Sequence, residues 1–567
     1  RSGPGRVVAV DRGDEITFEE SLVSAGLTDS STFDATLTGD VRANGLLGDL
    51  RSEEIVASYA ADTGMVMRSS GPTRVSHRPT AGDETYRMRA AGGMLARLTE
   101  SGWYVERAET VFAEALGDDP YRVEAGLVRD VDLATTTLSA SENILYRTSW
   151  GSAFAPEGLV RGVDFVELSG TAEDPVRLDL LPAERAMEIE DGEVAGVRTG
   201  WMRARSMAVT EETVFADGGV TAQFELPESV WGLDAQSVLV RREITGTALT
   251  EEDAPAGPGQ VRAQRAEELR VEANFVREAR YDAFDASGVF RASRLELDAS
   301  IVDAKGGAGA EREDGIALDE ERPLRLHLIG GVDARLVAHP PLDLMPEVNG
   351  EGRPVLQSWD IEAAEAELVR LEPEIDADGN PGKAPFTLTA EDVARCHHEG
   401  AGRFLDVEAG RVEAEGAFRA TIDSTQGAQP DLAGSVFVAK EAVSVDYRAA
   451  VDQPSLRARG SVFTLTDGAR GTLTPDKGKR VRATGVMPGN GLPYTLVAKE
   501  LQFEDERLEA VEPELDLADP VPFPDLGVSF ERMTAGHLVA TNETIVFDEG
   551  FKGFVEGNRA AQPDISL

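Results

Sequence analysis

Cysteine is almost missing: Cys396 stands alone among 567 residues. No intrachain disulfide can brace the fold, and cysteine usage does not identify a redox compartment. Aromatic residues make up only 6%, which argues against a large aromatic-rich core and against an aromatic-lined saccharide groove. No stretch approaches the roughly 18 consecutive apolar residues of a membrane-spanning helix. Basic residues are scarce beside acidic ones, 56 against 102, giving a net charge of -46. Such a chain repels duplex nucleic acid and, for the same reason, an anionic membrane surface. Acidic runs such as Glu311-Arg-Glu-Asp314 and Asp319-Glu-Glu321 read as a solvated outer face, and a salt-adapted source would give the same balance.

Catalytic signatures are missing too. There is no nucleophile elbow and no phosphate-binding loop, and Gly306-Gly-Ala-Gly309 reads as a polar loop. Carboxylates are so many that no pair stands out as a glycosidase dyad. Cys396-His397-His398 is the one cluster that looks metal-binding, but adjacent histidines on a strand point to opposite faces. Asp376-Ala-Asp378-Gly-Asn380 is similar to part of a calcium loop, yet Pro385 occupies the place of the closing glutamate, so it reads as a turn. No catalytic residue, metal site or cofactor is expected. Arg1-Ser-Gly-Pro-Gly is not a signal peptide and lacks an initiator methionine, which reads as a mature or trimmed chain.

What the chain does hold is a repeated phrase: alanine, two polar residues, then apolar residues at plus three and plus five. It reads Ala204-Arg-Ser-Met207-Ala-Val209, Ala235-Gln-Ser-Val238-Leu-Val240, Ala266-Glu-Glu-Leu269-Arg-Val271, Ala292-Ser-Arg-Leu295-Glu-Leu297 and Ala498-Lys-Glu-Leu501-Gln-Phe503. The first four copies start 31, 31 and 26 residues apart. A period of that size marks an array of similar modules, not one unique core. Two-residue alternation, as in Leu324-Arg-Leu326-His-Leu328, argues strand. Helical spacing is rare; Leu95–Ala115 is the best helix candidate, while Glu362–Val369 reads as strand because Ala363-Ala-Glu-Ala366-Glu-Leu368 fits the phrase.

Glycine-led segments alternate with the phrase: Gly39-Asp-Val41, Gly218-Gly-Val220, Gly330-Gly-Val332, Gly416-Ala-Phe418 and Gly460-Ser-Val462. They read as strand starts after a tight turn or bulge. Parity adds a constraint: on a regular strand the alanine and the plus-three residue face opposite sides, so both can face inward only if a bulge or corner follows the alanine. The inserts Thr250–Gly259, Gly306–Pro323, His339–Pro354 and Pro373–Pro385 read as loops. Pro513–Pro524 reads as an extended linker or edge segment. The fold class is therefore all-β, an extended repeat array with long loop inserts. It divides into N-terminal repeats over 1–199, central repeats over 200–338, C-terminal repeats with inserts over 339–512 and a proline-rich terminal repeat over 513–567.

The segment from Leu37 to Gly64 carries a G-x-V strand, a second strand with Ser52-Glu-Glu-Ile55-Val-Ala57-Ser-Tyr59, and a Thr63-Gly64 turn. It resembles a repeat of the OstA-like lipopolysaccharide-transport family, as do Met202–Val220 and Tyr494–Asp505. The resemblance implies an open, twisted β-jellyroll whose V-shaped groove shields acyl chains, stacked end to end with similar envelope proteins through its terminal strand edges. It implies a non-enzymatic periplasmic bridge for an amphipathic lipid such as lipopolysaccharide, with any membrane anchor lying outside this sequence. The expected groove lining is Met207, Val209, Val238, Val240, Leu269, Val271, Leu295, Leu297, Leu501 and Phe503. The alternatives are a structural β-repeat scaffold or filament of the envelope with a closed, dry core, and a polysaccharide-acting β-solenoid.

Overall fold

In the computed structural model the described residues lie between Pro4 and Ser566, apart from 181–199, 245–261, 306–314, 319–323, 339–356, 371–385, 556–564 and shorter stretches between strands. Among them every regular element is a strand and none is a helix, so no helix is long and apolar enough to cross a membrane. The all-β repeat array read from the sequence is what forms. The four inserts fall outside the described residues except for the strand Gly315–Leu318, as does Asp376–Asn380.

The chain divides into two compact units. The first holds Arg1–Leu226, Leu233–Glu267 and Val302–Ala317; the second holds Pro227–Gly232, Glu268–Ile301 and Leu318–Leu567. Within each, long strands pair antiparallel with their chain neighbours, as in the run Ala286–Lys305, Leu324–Ala338, Gln357–Arg370, Phe386–Gly400 and Arg403–Gly416 of the second unit. Short connections favour this pattern, because consecutive antiparallel strands need only a turn between them.

The long strands whose registers are described carry a break near the middle. The breaks fall between Thr38 and Val41, between Arg291 and Arg294, between Ile329 and Val332, and between Glu362 and Glu365. At the shorter copies the strand divides outright: Gly200–Ala204 and Ser206–Val209 flank Arg205, and Pro493–Ala498 and Glu500–Glu504 flank Lys499. The hydrogen-bond ladder runs on through the break, since Arg205 N donates to Asp217 O at 3.1 Å and Gly170 N donates to Arg205 O at 2.8 Å. Together these breaks form a crease that crosses the sheet and splits each unit into two half-sheets. The corner that parity demanded after the alanine is this crease. Ala204, Met207 and Val209 are all buried, and so are Ala498, Leu501 and Phe503.

Three sequence readings change. Three of the five glycine-led segments lie inside strands, not at their starts: Gly39, Gly218, Gly219, Gly330 and Gly331 take positive φ at the crease of Thr32–Gly45, Thr213–Leu226 and Leu324–Ala338, whereas Gly460-Ser461 does lead into the strand Val462–Thr466 and Gly416 closes Arg403–Gly416. The chain bends there without reversing. Leu95–Ala115 is no helix but parts of the strands Tyr86–Thr99 and Gly102–Ala115. Buried Trp103, Val105, Ala108, Val111 and Ala113 step by two except around the crease, where steps of three imitate a helical face. Glu514–Phe523, read as linker or edge, is a paired strand: residues 514–517 pair with Pro493–Ala498, and a register break between Asp516 and Val521 spaces its pairing with Val528–Thr534.

Candidate functional site

Alternation sends every second side chain inward from each half-sheet. The phrase residues follow it. Met207, Val209, Val238, Val271, Leu295, Leu501 and Phe503 are buried, and Val240, Leu269 and Leu297 are half-buried. Register then joins residues far apart in sequence. In the second unit Leu295 stands opposite Leu328, which faces Ala366, then Ala390 and Val412. The same row runs on through Ala439, Phe463 and Leu473 to Leu501. A neighbouring row starts at Leu297 and passes Leu326, Leu368 and Leu388. It continues through Ala414, Phe437, Leu465 and Gly471 to Phe503. Two unbroken apolar rows thus line one half-sheet and contain four of the expected lining residues. In the first unit Met207 faces Leu168 and Val209 faces Val166, whereas the described registers do not reach Val238, Val240, Leu269 or Val271.

The other half-sheet of the second unit carries its own inward rows. One runs Phe290, Ala334, Ile361, Cys396, Val407 and Val445. Next to it, Trp359 faces His398, which faces Leu405, which faces Tyr447. Rings from this wall meet rings from the opposite one. Trp359 stacks on Phe437 with centroids 5.4 Å apart, and Tyr447 stacks on Phe503 at 5.4 Å. Phe463 joins the block 6.2 Å from Phe437 and 5.6 Å from Phe503. A Cβ on Gly471 would collide with the Phe503 ring, so the glycine makes room for it. Walls about 10 Å apart are what stacked sheets need for such contacts.

The Cys396-His397-His398 cluster separates as alternation requires. His397 faces outward, with Nδ1 2.8 Å from Asp406. His398 faces inward, buried, stacked on Trp359 at a centroid distance of 3.9 Å. Its Nδ1 donates to Ser358 O at 3.1 Å. Burial pushes the His398 imidazole down to about 4 and the Cys396 thiol up to about 12, because the apolar interior disfavours charge on either. Neutral imidazole and protonated thiol are thus the forms present at neutral pH. Trp359 Nε1 is buried without a hydrogen-bond partner, a cost of about 1–3 kcal/mol. Among the described residues no group of three or more histidine, cysteine or carboxylate side chains converges on a metal-sized site.

The inward direction and the phrase residues were legible from alternation. The Trp359, His398, Phe437, Tyr447 and Phe463 block was not. Of these, the sequence pattern marks only His398, as a metal-like neighbour of Cys396. The inward parity of Trp359, shared with Ile361 and Ala363, was the one signal available.

No family model matches this chain, and no curated protein matches it. Among solved structures it is similar to the copper transporter OprC at 10% identity, covering 98% of this chain and 76% of that one with a TM-score of 0.13, too low for the likeness to carry fold or function.

Proposed function

We propose that this chain is a non-enzymatic shield for the acyl chains of an amphipathic lipid, lipopolysaccharide-like in chemistry, working in the periplasm and docking to similar β-repeat proteins through its terminal strand edges. The observation that supports this most is the pair of apolar rows from Leu295 to Leu501 and from Leu297 to Phe503, facing an apolar opposite wall. Each acyl CH₂ kept from water contributes about 0.8 kcal/mol, so a long unbroken apolar lining suits a long apolar cargo. In the second unit the two walls are continuous through the crease, and hinging there would part them. The buried, unpartnered Trp359 Nε1 makes the closed contact at that point less favourable than it would otherwise be.

One observation favours a second reading, a closed and dry envelope scaffold: the rings Trp359 on Phe437 and Tyr447 on Phe503 already fill the space between the walls. Photo-crosslinking groups placed at Val238, Val271, Leu295 and Leu501 separate the two. The shield reading expects lipid adducts from envelope extracts at several of these positions, reduced when Leu328 or Val412 in the same rows is changed to aspartate. Intact folding with no lipid captured at any position would sink it in favour of the scaffold.

A further inference from the structure

The two half-sheets that face each other in the second unit carry different kinds of ring. The rows ending at Leu501 and Phe503 present leucine, valine, alanine, phenylalanine and one glycine, with no tyrosine, tryptophan or histidine in either. The opposite half-sheet presents rings with a polar edge. Trp359, His398 and Tyr447 follow one another in the row that passes Leu405. Tyr494 stands at the same level. Val445, Ala458, Ala483 and Leu496 face one another in turn, and Tyr447 and Tyr494 each lie two residues farther from the crease than that row. Gly485 makes room there, since a Cβ on it would come within 2.7 Å of the Tyr494 hydroxyl. Trp231 and Tyr281 extend the set, with ring centroids 4.7 Å apart. Tyr281 follows the left-handed Phe275 at which Arg262–Ala283 is creased, and the chain turns directly from there into the half-strand of Phe290. The pair therefore belongs to the same half-sheet. In the first unit Tyr86, Tyr121 and Tyr146 likewise share one half-sheet, their rings 6.3 and 5.8 Å apart, although Trp103 stands on the other.

Two of these polar edges meet nothing in the protein. Nε1 of Trp231 and Nε1 of Trp359 are buried without a hydrogen-bond partner. An indole N–H can only donate, and leaving it unpaired in an apolar interior is unfavourable. Phenylalanine would stack on Tyr281 or Phe437 without that penalty, and phenylalanine is what the facing wall uses. Two unpaired donors on one half-sheet call for an acceptor from outside the chain. A phosphate or carboxylate would have to shed its water against the leucine rows, which excludes a charged acceptor. A bare alkyl chain offers no acceptor at all. A carbonyl oxygen attached to an alkyl chain satisfies both conditions. Tryptophan and tyrosine serve the same boundary where membranes meet water, with an apolar body and a polar tip.

We propose that the second unit recognises the ester or amide carbonyls of an acylated lipid, with Trp231 and Trp359 donating through Nε1 and the leucine and phenylalanine rows taking the methylene chain. This rests on the lipid-shielding reading and gives the cargo an orientation: linkages toward one wall, tails toward the other. The contact forms when the walls part at the crease, because the Trp359 ring otherwise rests on Phe437 at 5.4 Å.

The test titrates the intact chain with two lysophosphatidylcholines of equal chain length, below their micelle concentrations. One is acyl-linked; the other has an ether link, a weaker acceptor that lacks the carbonyl. The parent should bind the ester about fivefold or more tightly, the contribution of roughly one neutral hydrogen bond. Trp231→Phe/Trp359→Phe should lose that preference by weakening the ester alone, with its affinity for the ether kept. Phe437→Leu, on the facing wall, should keep the preference. Infrared spectroscopy adds a readout that needs no variant: the ester carbonyl band of the probe bound to the parent should lie below its position in hydrocarbon solvent. Equal affinity of the parent for the two probes, a preference that survives in the double variant, or an unshifted carbonyl band would each overturn the proposal and leave the shielding reading standing. Binding of neither probe would count against shielding itself and remove this inference with it.

Discussion

His398 and Cys396 show how burial sets chemistry one side chain at a time. The folded protein holds the His398 imidazole near 4, below its ordinary 6.5, so the unfolded chain binds the proton more readily. Stability from this group is complete above about pH 6.5 and is lost as pH falls toward 4, by up to about 3 kcal/mol. Denaturant midpoints of the parent and of His398→Phe, which keeps a ring against Trp359, should converge as pH drops through that window; parallel curves would contradict the assignment. Cys396 is buried with its thiol protonated, so iodoacetamide should leave it intact in the native protein and modify it rapidly in denaturant. The sequence marked these residues only as neighbours. Which face each took followed from alternation, but that His398 would stack on Trp359 depended on a strand some forty positions earlier in the chain.

The recurring element is the creased strand, and it solves its backbone problem in two ways. In one, glycine itself bends: Gly330 and Gly331 take φ of 80° and 68°. In the other, a glutamate takes the left-handed conformation and the neighbouring strand supplies a glycine to make room. Gly126 faces Glu142 in this way, Gly410 faces Glu441 and Gly536 faces Glu549, with a built Cβ only 2.8, 2.8 and 2.7 Å from the glutamate Cβ. The two kinds respond differently to substitution. Nothing lies within 4 Å of a Cβ at Gly331, so Gly331→Ala should cost only the left-handed strain of about 1–2 kcal/mol, and Gly331→Asn less. Gly410→Ala meets a neighbour instead and should cost about 1–3 kcal/mol, eased when Glu441 becomes glycine. Chemical denaturation of the four variants checks both. The sequence reading caught the first kind because the glycine leads a visible pattern. It missed the second because the signal is divided between two strands.

At the scale of the molecule, charge and register dominate. A net charge of -46 on folded units implies self-repulsion that salt relieves, so the melting temperature should rise with sodium chloride over the range in which the Debye length shrinks from about 10 Å to 3 Å. A flat response would mean that the many outer ion pairs, such as Arg457 with Asp446, already balance the field locally.

The sequence by itself determined that the chain is built of strands, that a repeated phrase places small and apolar residues inward, and that a corner must follow the alanine, since these are consequences of two-residue periodicity and local parity. Only the tertiary structure decided that Leu295 and Leu501 share a row, that Trp359 reaches Phe437 across the interior, and that Trp231, Trp359 and Tyr447 gather on one half-sheet. Each depends on the register between strands, which short-range pattern constrains to a face but not to a partner.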